Sequence, residues 1–242
     1  MKNKSLLAAL LCIVFVNAGY ADVNLNLPAN PVVMTIDYPV ADSYWGVTFT
    51  VPNDGTEYSI KNGIPYDGWC ADSERFINEG QYTTSLYSAL ELTPEQAALF
   101  ESGTHVTEWK KIAYIVNKDY SSFSKFDCVG AVKVRPCEIQ WAIWDFRGMP
   151  SANMRTYLRN NYCIPNACLN DIISDANANG GVFDPEPTDV VPVIAYTQTA
   201  GGTILQLILI EIPNVSVPEF ASAAVGLFAA LGTCAFVCVR KR

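Results

Sequence analysis

Val190-Val191-Pro192-Val193-Ile194-Ala195-Tyr196 and Ile204-Leu205-Gln206-Leu207-Ile208-Leu209-Ile210-Glu211-Ile212, separated by Gly201-Gly202, decide how the chain is read. Both runs are rich in β-branched residues, and two such runs joined through a glycine pair are the pattern of a β-hairpin. Pro192 has no backbone N–H to give to a ladder, so the first strand is expected at an edge or a bulge. Near the other end of the chain, Val32-Val33-Met34-Thr35-Ile36-Asp37-Tyr38 and Trp45-Gly46-Val47-Thr48-Phe49-Thr50-Val51 have the same strand character. The text between these ends is helical. Thr93-Pro94-Glu95-Gln96 combines an N-cap, a proline at the first helical position and a glutamine able to complete a capping box. Val106, Trp109, Ile112, Ala113 and Val116 recur at helical spacing and predict an amphipathic helix ending near Asn117-Lys118. Pro136 and Glu138 open a further short helix on which Ile139, Ile143 and Phe146 form one face, while Gln140 and Trp144, four apart, share another. Residues 151–162 and 167–178 read as two more helices, ended by Asn179-Gly180-Gly181. Strands at both ends around a helical middle predict an α+β domain, in which antiparallel strands from the N- and C-terminal parts pack with a central helical region.

A chain of 242 residues, half of them apolar, is long enough for one domain with a real core and processing segments at its ends. Residues 1–21 have a short basic start, an apolar run over 6–16 and Gly19-Tyr20-Ala21 as a small-x-small cleavage site, the composition of a secretory signal peptide. At the far end Pro218-Glu219-Phe220 precedes an uncharged apolar run over 221–239, long enough to span a bilayer, and Arg240-Lys241-Arg242 closes the chain as a cytoplasmic stop. The expected organisation is a signal peptide (1–21), an extracellular domain (22–215) and a C-terminal membrane segment with a basic tail (216–242). The protein is thus expected to be exported and held at the cell surface, on the extracellular side. The two ends carry five of the 16 basic residues and one of the 24 acidic ones, so the domain between them is more acidic than the chain's net charge of −8. Such a surface repels phosphate backbones and argues against nucleic acid as a partner.

Of the 8 cysteines, Cys12, Cys234 and Cys238 lie in the end segments, which leaves Cys70, Cys128, Cys137, Cys163 and Cys168 in the domain. Five is an odd number. Cys128 with Cys137, and Cys163 with Cys168, bracket short stretches, and each pair is able to close a local disulfide in an exported protein, stabilising it by roughly 2 to 3 kcal/mol. Cys70 is then left over. With no CxxC pair and His105 the only histidine, no metal site and no cofactor are expected.

Gly68-Trp69-Cys70-Ala71-Asp72 and Cys137-Glu138-Ile139-Gln140-Trp141-Ala142-Ile143-Trp144-Asp145-Phe146 together resemble the paired motifs of the bacterial and archaeal surface thioester domains. In those domains a cysteine preceded by an aromatic residue bonds to the glutamine of a hydrophobic-Gln-x-x-hydrophobic-Trp segment. Trp69 stands where tyrosine or phenylalanine is commoner, and the second motif matches at every defined position. The resemblance implies a thioester-domain-like fold with Cys70 and Gln140 as the thioester pair. Thiolate attack on the carboxamide expels ammonia and stores an activated acyl group. Water has to be kept from it, a screening role for which Trp69 and Trp144, with Trp141 and Phe146, are candidates. The implied function is covalent adhesion. An amine, usually of a lysine on a surface protein or polymer, attacks the Gln140 acyl group, frees the Cys70 thiol and is joined through an isopeptide bond. Such a reaction is single use, so the protein is not read as an enzyme. The C-terminal Pro-Glu-Phe, membrane segment and basic tail resemble a PEF-type sorting signal, which implies an exosortase- or archaeosortase-like transpeptidase as a second partner; a plain single-span anchor is the alternative. Two other readings of the domain stay open. One is a passive, disulfide-stabilised surface binding domain with an inert Cys70. The other is a protease- or transglutaminase-like arrangement of Cys70 with His105 and an acidic residue.

Overall fold

Apolar side chains at every second position make the first two strands, because alternate residues of an extended chain point to opposite faces. In β1 (Val32–Asp37), Val32, Met34 and Ile36 are buried while Val33 is exposed, and in β2 (Trp45–Thr50) Val47 and Phe49 point the same way. The computed structural model describes residues 25–37, 45–100, 106–118, 134, 136–148, 150–161, 163–165 and 167–214. Within them β3 (Tyr66–Cys70), β4 (Gly80–Ser88), β5 (Val190–Thr197) and β6 (Ile208–Pro213) complete the sheet. All neighbours are antiparallel, and the order β1-β2-β3-β6-β5-β4 closes on itself through the β1–β4 pair, which sets Val32 opposite Thr84. Closure gives every strand two partners and leaves no open edge. The interior is filled by Met34, Ile36, Val47, Phe49, Tyr66, Val193, Ala195, Ile208, Ile210 and their neighbours.

This corrects the α+β expectation. The strands do not form a sheet packed with a central helical region; they make a closed six-stranded antiparallel barrel, and the helices are short insertions in the connection from β4 to β5. The expected hairpin is present as β5 and β6, with Val193 opposite Ile210, and Gly202 takes a positive φ in the turn between them. Pro192 is accommodated without an edge. Its carbonyl accepts from Ala89 N at 2.9 Å, so its missing N–H faces β4 just past Ser88, where that strand ends.

The two walls of the barrel read differently because they have different exteriors. β1 and β2 are buried at alternate positions, but β5 is buried along almost its whole length and β6 nearly so. Ile194, Tyr196, Leu207 and Leu209 point outward from β5 and the chain into β6, and they meet Trp109, Ile112, Ile115, Ile143, Phe146, Ile172 and Ala176 of the helices. Strands covered on both sides lose the alternating pattern and become continuous apolar runs.

The connection holds five described helices, α1 (Pro94–Leu99), α2 (Val106–Asn117), α3 (Pro136–Phe146), α4 (Ala152–Asn161) and α5 (Cys168–Asn179), of which α2, α3 and α5 supply that cover. Both halves of the predicted capping box are formed at α1, Gln96 N donating to Thr93 Oγ1 and Thr93 N to Gln96 Oε1. α2, α3 and α5 pack on one another, α2 also on β5 and α3 on β3. Gly180, after α5, lies so close to α2 that a Cβ there would sit 2.8 Å from Lys111 Cα. The disulfides differ from the expected local loops. Cys137, in the first turn of α3, is bonded to Cys163, beyond the end of α4, closing 26 residues. Sequence spacing shows only the short loops, whereas helix packing brings the start of α3 against the α4–α5 connection. The longer loop raises the chain-entropy contribution to about 3.5 kcal/mol. Cys168 is also disulfide-bonded, to a partner outside the described residues.

Candidate functional site

β3 ends in Cys70, and the end of that strand is held from several directions. Its pairing with β6 continues through Cys70 opposite Ile208, and Ala71 N donates to Leu207 O at 2.8 Å. On the other side the described pairing with β2 runs to Trp45, opposite Gly68. Gly68 is required by this approach, since a Cβ on it would stand 2.7 Å from Val47 Cγ2 and 3.3 Å from Trp45 Cβ. The absence of a side chain lets the Trp45 ring reach along β3 towards Cys70.

Past Gly68, no described residue of β2 pairs with the backbone of Cys70, and the carboxamide of Gln140 binds it. Cys70 N donates to Gln140 Oε1 at 2.9 Å, and Gln140 Nε2 donates to Cys70 O at 2.7 Å. Both residues are about 1% exposed. A buried backbone N–H and C=O left unpaired cost about 1 to 3 kcal/mol each, so the clasp has a structural function whatever its chemistry. The same device appears twice more. Asn117, at the end of α2, accepts from Val190 N at 2.6 Å and donates to Val190 O at 2.8 Å, and Asn62 accepts from Val51 N and donates to Val51 O. Only the clasp of Gln140 grips a residue that carries a thiol.

Cys70 is the free cysteine among the described residues. Alternation along β3 carries its side chain to the side of Tyr66, at the end of the barrel, where it meets Trp141, Trp144 and Leu158. A cavity of about 90 Å³ opens there, lined in part by Trp45, Phe76, Ile77, Trp144 and Gln206. Burial pushes the thiol far above its ordinary range; the indole of Trp45, donating to Sγ at 3.1 Å, works against that shift, and the Asp72 carboxylate adds to it. The thiol is therefore neutral at physiological pH, and its attack on an amide requires the proton to leave with the departing nitrogen. Trp141 Nε1 and Trp144 Nε1 are buried without a hydrogen-bond partner among the described residues.

Two further side chains fix the segment after Cys70. Arg147, at the end of α3, is buried, donates from Nε to Ala71 O at 3.0 Å and stacks 4.5 Å from the Trp109 ring. Burial lowers its pKa to about 10, with Asp72 opposing the change. Gln206 Nε2 donates to Asp72 O at 2.7 Å.

The structure therefore brings Cys70, Gln140 and Trp144 together. Trp69 lies on the alternate side of β3, with Phe146 in the cluster facing the helices, and its indole donates to Glu211 Oε1 at 2.6 Å. Sequence reading missed Trp45, Arg147 and Gln206; their only signals are ordinary strand and helix positions. His105, Cys128, the signal peptide, Pro218-Glu219-Phe220 and the apolar run over 221–239 lie outside the described residues. Among the described residues no cluster suited to a metal ion occurs, and no helix is long and apolar enough to cross a membrane. No family model matches the chain, and neither a curated protein nor a solved structure matches it.

Proposed function

We propose that this chain is an exported, surface-anchored domain in which Cys70 and Gln140 form an internal thioester, used once to attach covalently to an amine on another surface. The observation that carries the reading is the Gln140 carboxamide held against Cys70, the free thiol among the described residues, in a buried site. Cys70 Sγ attacks Gln140 Cδ, the C–N bond breaks, and the thiol proton leaves with Nε2 as ammonia. The oxygen that gains charge during this attack is Oε1, on which the Cys70 N–H already rests at 2.9 Å; a fixed donor at that point lowers the barrier. Trp141, Trp144 and Leu158 exclude bulk water from the product. An incoming amine then forms an amide with the Gln140 acyl carbon and returns Cys70 to the thiol. The acidic domain surface favours amine-bearing, cationic partners. The C-terminal membrane segment and its transpeptidase partner belong to the same proposal.

The intact mass of the processed full chain tests it. The expected mass is one ammonia below the disulfide-corrected sequence, with the deficit abolished in Cys70→Ala and in Gln140→Ala and replaced by a stable adduct on Gln140 after incubation with methylamine. A full sequence mass together with a Cys70 that is readily alkylated on mild unfolding sinks the proposal and leaves a passive binding domain with a purely structural clasp.

A further inference from the structure

Expulsion of a thiolate is the hard part of opening a thioester in a buried site. When an amine adds to the Gln140 acyl carbon, the tetrahedral adduct collapses by breaking the C–S bond, and the electron pair of that bond goes to Cys70 Sγ. Water cannot solvate the charge at full strength there, because Cys70 is 1% exposed. Among the described residues the charged group that acts on the thiol is the Asp72 carboxylate, of the wrong sign. The hydrogen bond recorded on Sγ comes from Trp45 Nε1, at 3.1 Å. Trp45 begins β2 and stands opposite Gly68, whose lack of a Cβ permits the approach, so the donor is held by two paired strands rather than by a loop.

We propose that Trp45 is a catalytic residue of this site, its indole N–H stabilising the Cys70 sulfur as it leaves during aminolysis and, by the reverse path, as it attacks Gln140. The inference rests on the thioester reading and adds a group to it. The atoms balance without a further reactant. In opening, R–NH₂ gains the acyl group and loses one proton, which ends on Sγ; in formation, the thiol proton leaves in ammonia. A hydrogen bond to a group that becomes charged is stronger than one to a neutral group, so the Trp45 contact acts more on the transition state than on the resting thioester.

Trp45→Phe tests this, because it keeps a ring against Cys70 and removes the N–H. With the full chain purified in detergent and methylamine as the probe, adduct formation on Gln140 is expected to slow at least about tenfold, with the melting temperature little changed. The alkylation profile of the opened protein against pH should also move upward, which a merely structural ring does not produce. If Trp45→Phe does not fold, benzothienylalanine at position 45 replaces the N–H by sulfur at nearly constant shape and serves the same comparison. An ammonia-short, folded variant that takes up methylamine at the wild-type rate overturns the role of Trp45 and leaves the thioester standing. A wild-type chain of full mass that takes up no methylamine removes the thioester itself, and with it any leaving group for Trp45 to serve.

Discussion

Gln140 and Asn117 do the same thing to two strands. Each lays a carboxamide along the backbone of one residue, accepting from its N–H and donating to its C=O, Gln140 at the end of β3 and Asn117 at the start of β5. The difference lies in what surrounds them. Asn117 is partly exposed and grips a valine, whereas Gln140 is 1% exposed and grips a cysteine whose sulfur is walled in by tryptophans. Water can satisfy a partly exposed strand end, whereas the buried end at Cys70 depends on its clasp. Burial and the thiol are thus the features by which the clasp proposed to react differs from the one at Asn117.

Removing the buried clasp should have the largest effect on stability. Gln140→Ala orphans an N–H and a C=O that solvent does not reach, and unfolding in urea should show a loss of about 3 to 5 kcal/mol. A loss under about 1 kcal/mol means that the backbone of Cys70 finds another partner and that Gln140 is not integral to the strand end.

Glu211 provides the next test, on the neighbouring face of β3. Burial, with a further contribution from Asp67, pushes its carboxyl up to about 7, while the Trp69 indole that donates to it opposes the rise. A carboxyl raised in the folded state lends its stability in full below the unfolded pKa near 4.5 and loses it as pH climbs through 7. Glu211→Gln keeps an acceptor for Trp69 and cannot ionise. Thermal melts should show the variant gaining on the wild type between pH 5 and 8, by at most about 3 kcal/mol. Equal pH profiles for the two proteins show that the carboxyl is solvated.

Asn117→Ala should have the smallest effect, about 1 kcal/mol, because water replaces much of what a partly exposed amide supplies. A loss as large as that of Gln140→Ala erases the distinction between the two sites.

Much of the fold's local structure was legible and little of its closure. The capping box at Thr93, the spacing of α2 and the hairpin of β5 and β6 are written in neighbouring residues, and all three are present. β4 went unread, because Gly80–Ser88 is largely polar and only Tyr82, Thr84 and Leu86 hint at a strand. Nothing local distinguishes a closed barrel from an open sheet, since closure depends on β1 meeting β4 and β3 meeting β6, and periodicity specifies a face rather than a partner. The disulfide of Cys137 was misread for the same reason: spacing favours Cys128, packing favours Cys163. At the site, Cys70 and Gln140 were paired through a motif resemblance, and they do meet. Trp45 carried no signal, as a tryptophan at a strand start gives no hint of the sulfur it will reach.

The meeting of β3 and β6 also sets a timetable. Trp69 and Glu211 are 142 residues apart, and Cys70 is covered only when β6 and α3 have both docked on β3. Contacts of such long range form late, after the loop between them has been closed. A newly made chain therefore carries Cys70 as an open thiol, beside the disulfide-forming Cys137, Cys163 and Cys168, until its final strand arrives. Correct pairing of these cysteines is a race against that thiol, and the speed with which the last strand closes the barrel decides how many molecules keep Cys70 free.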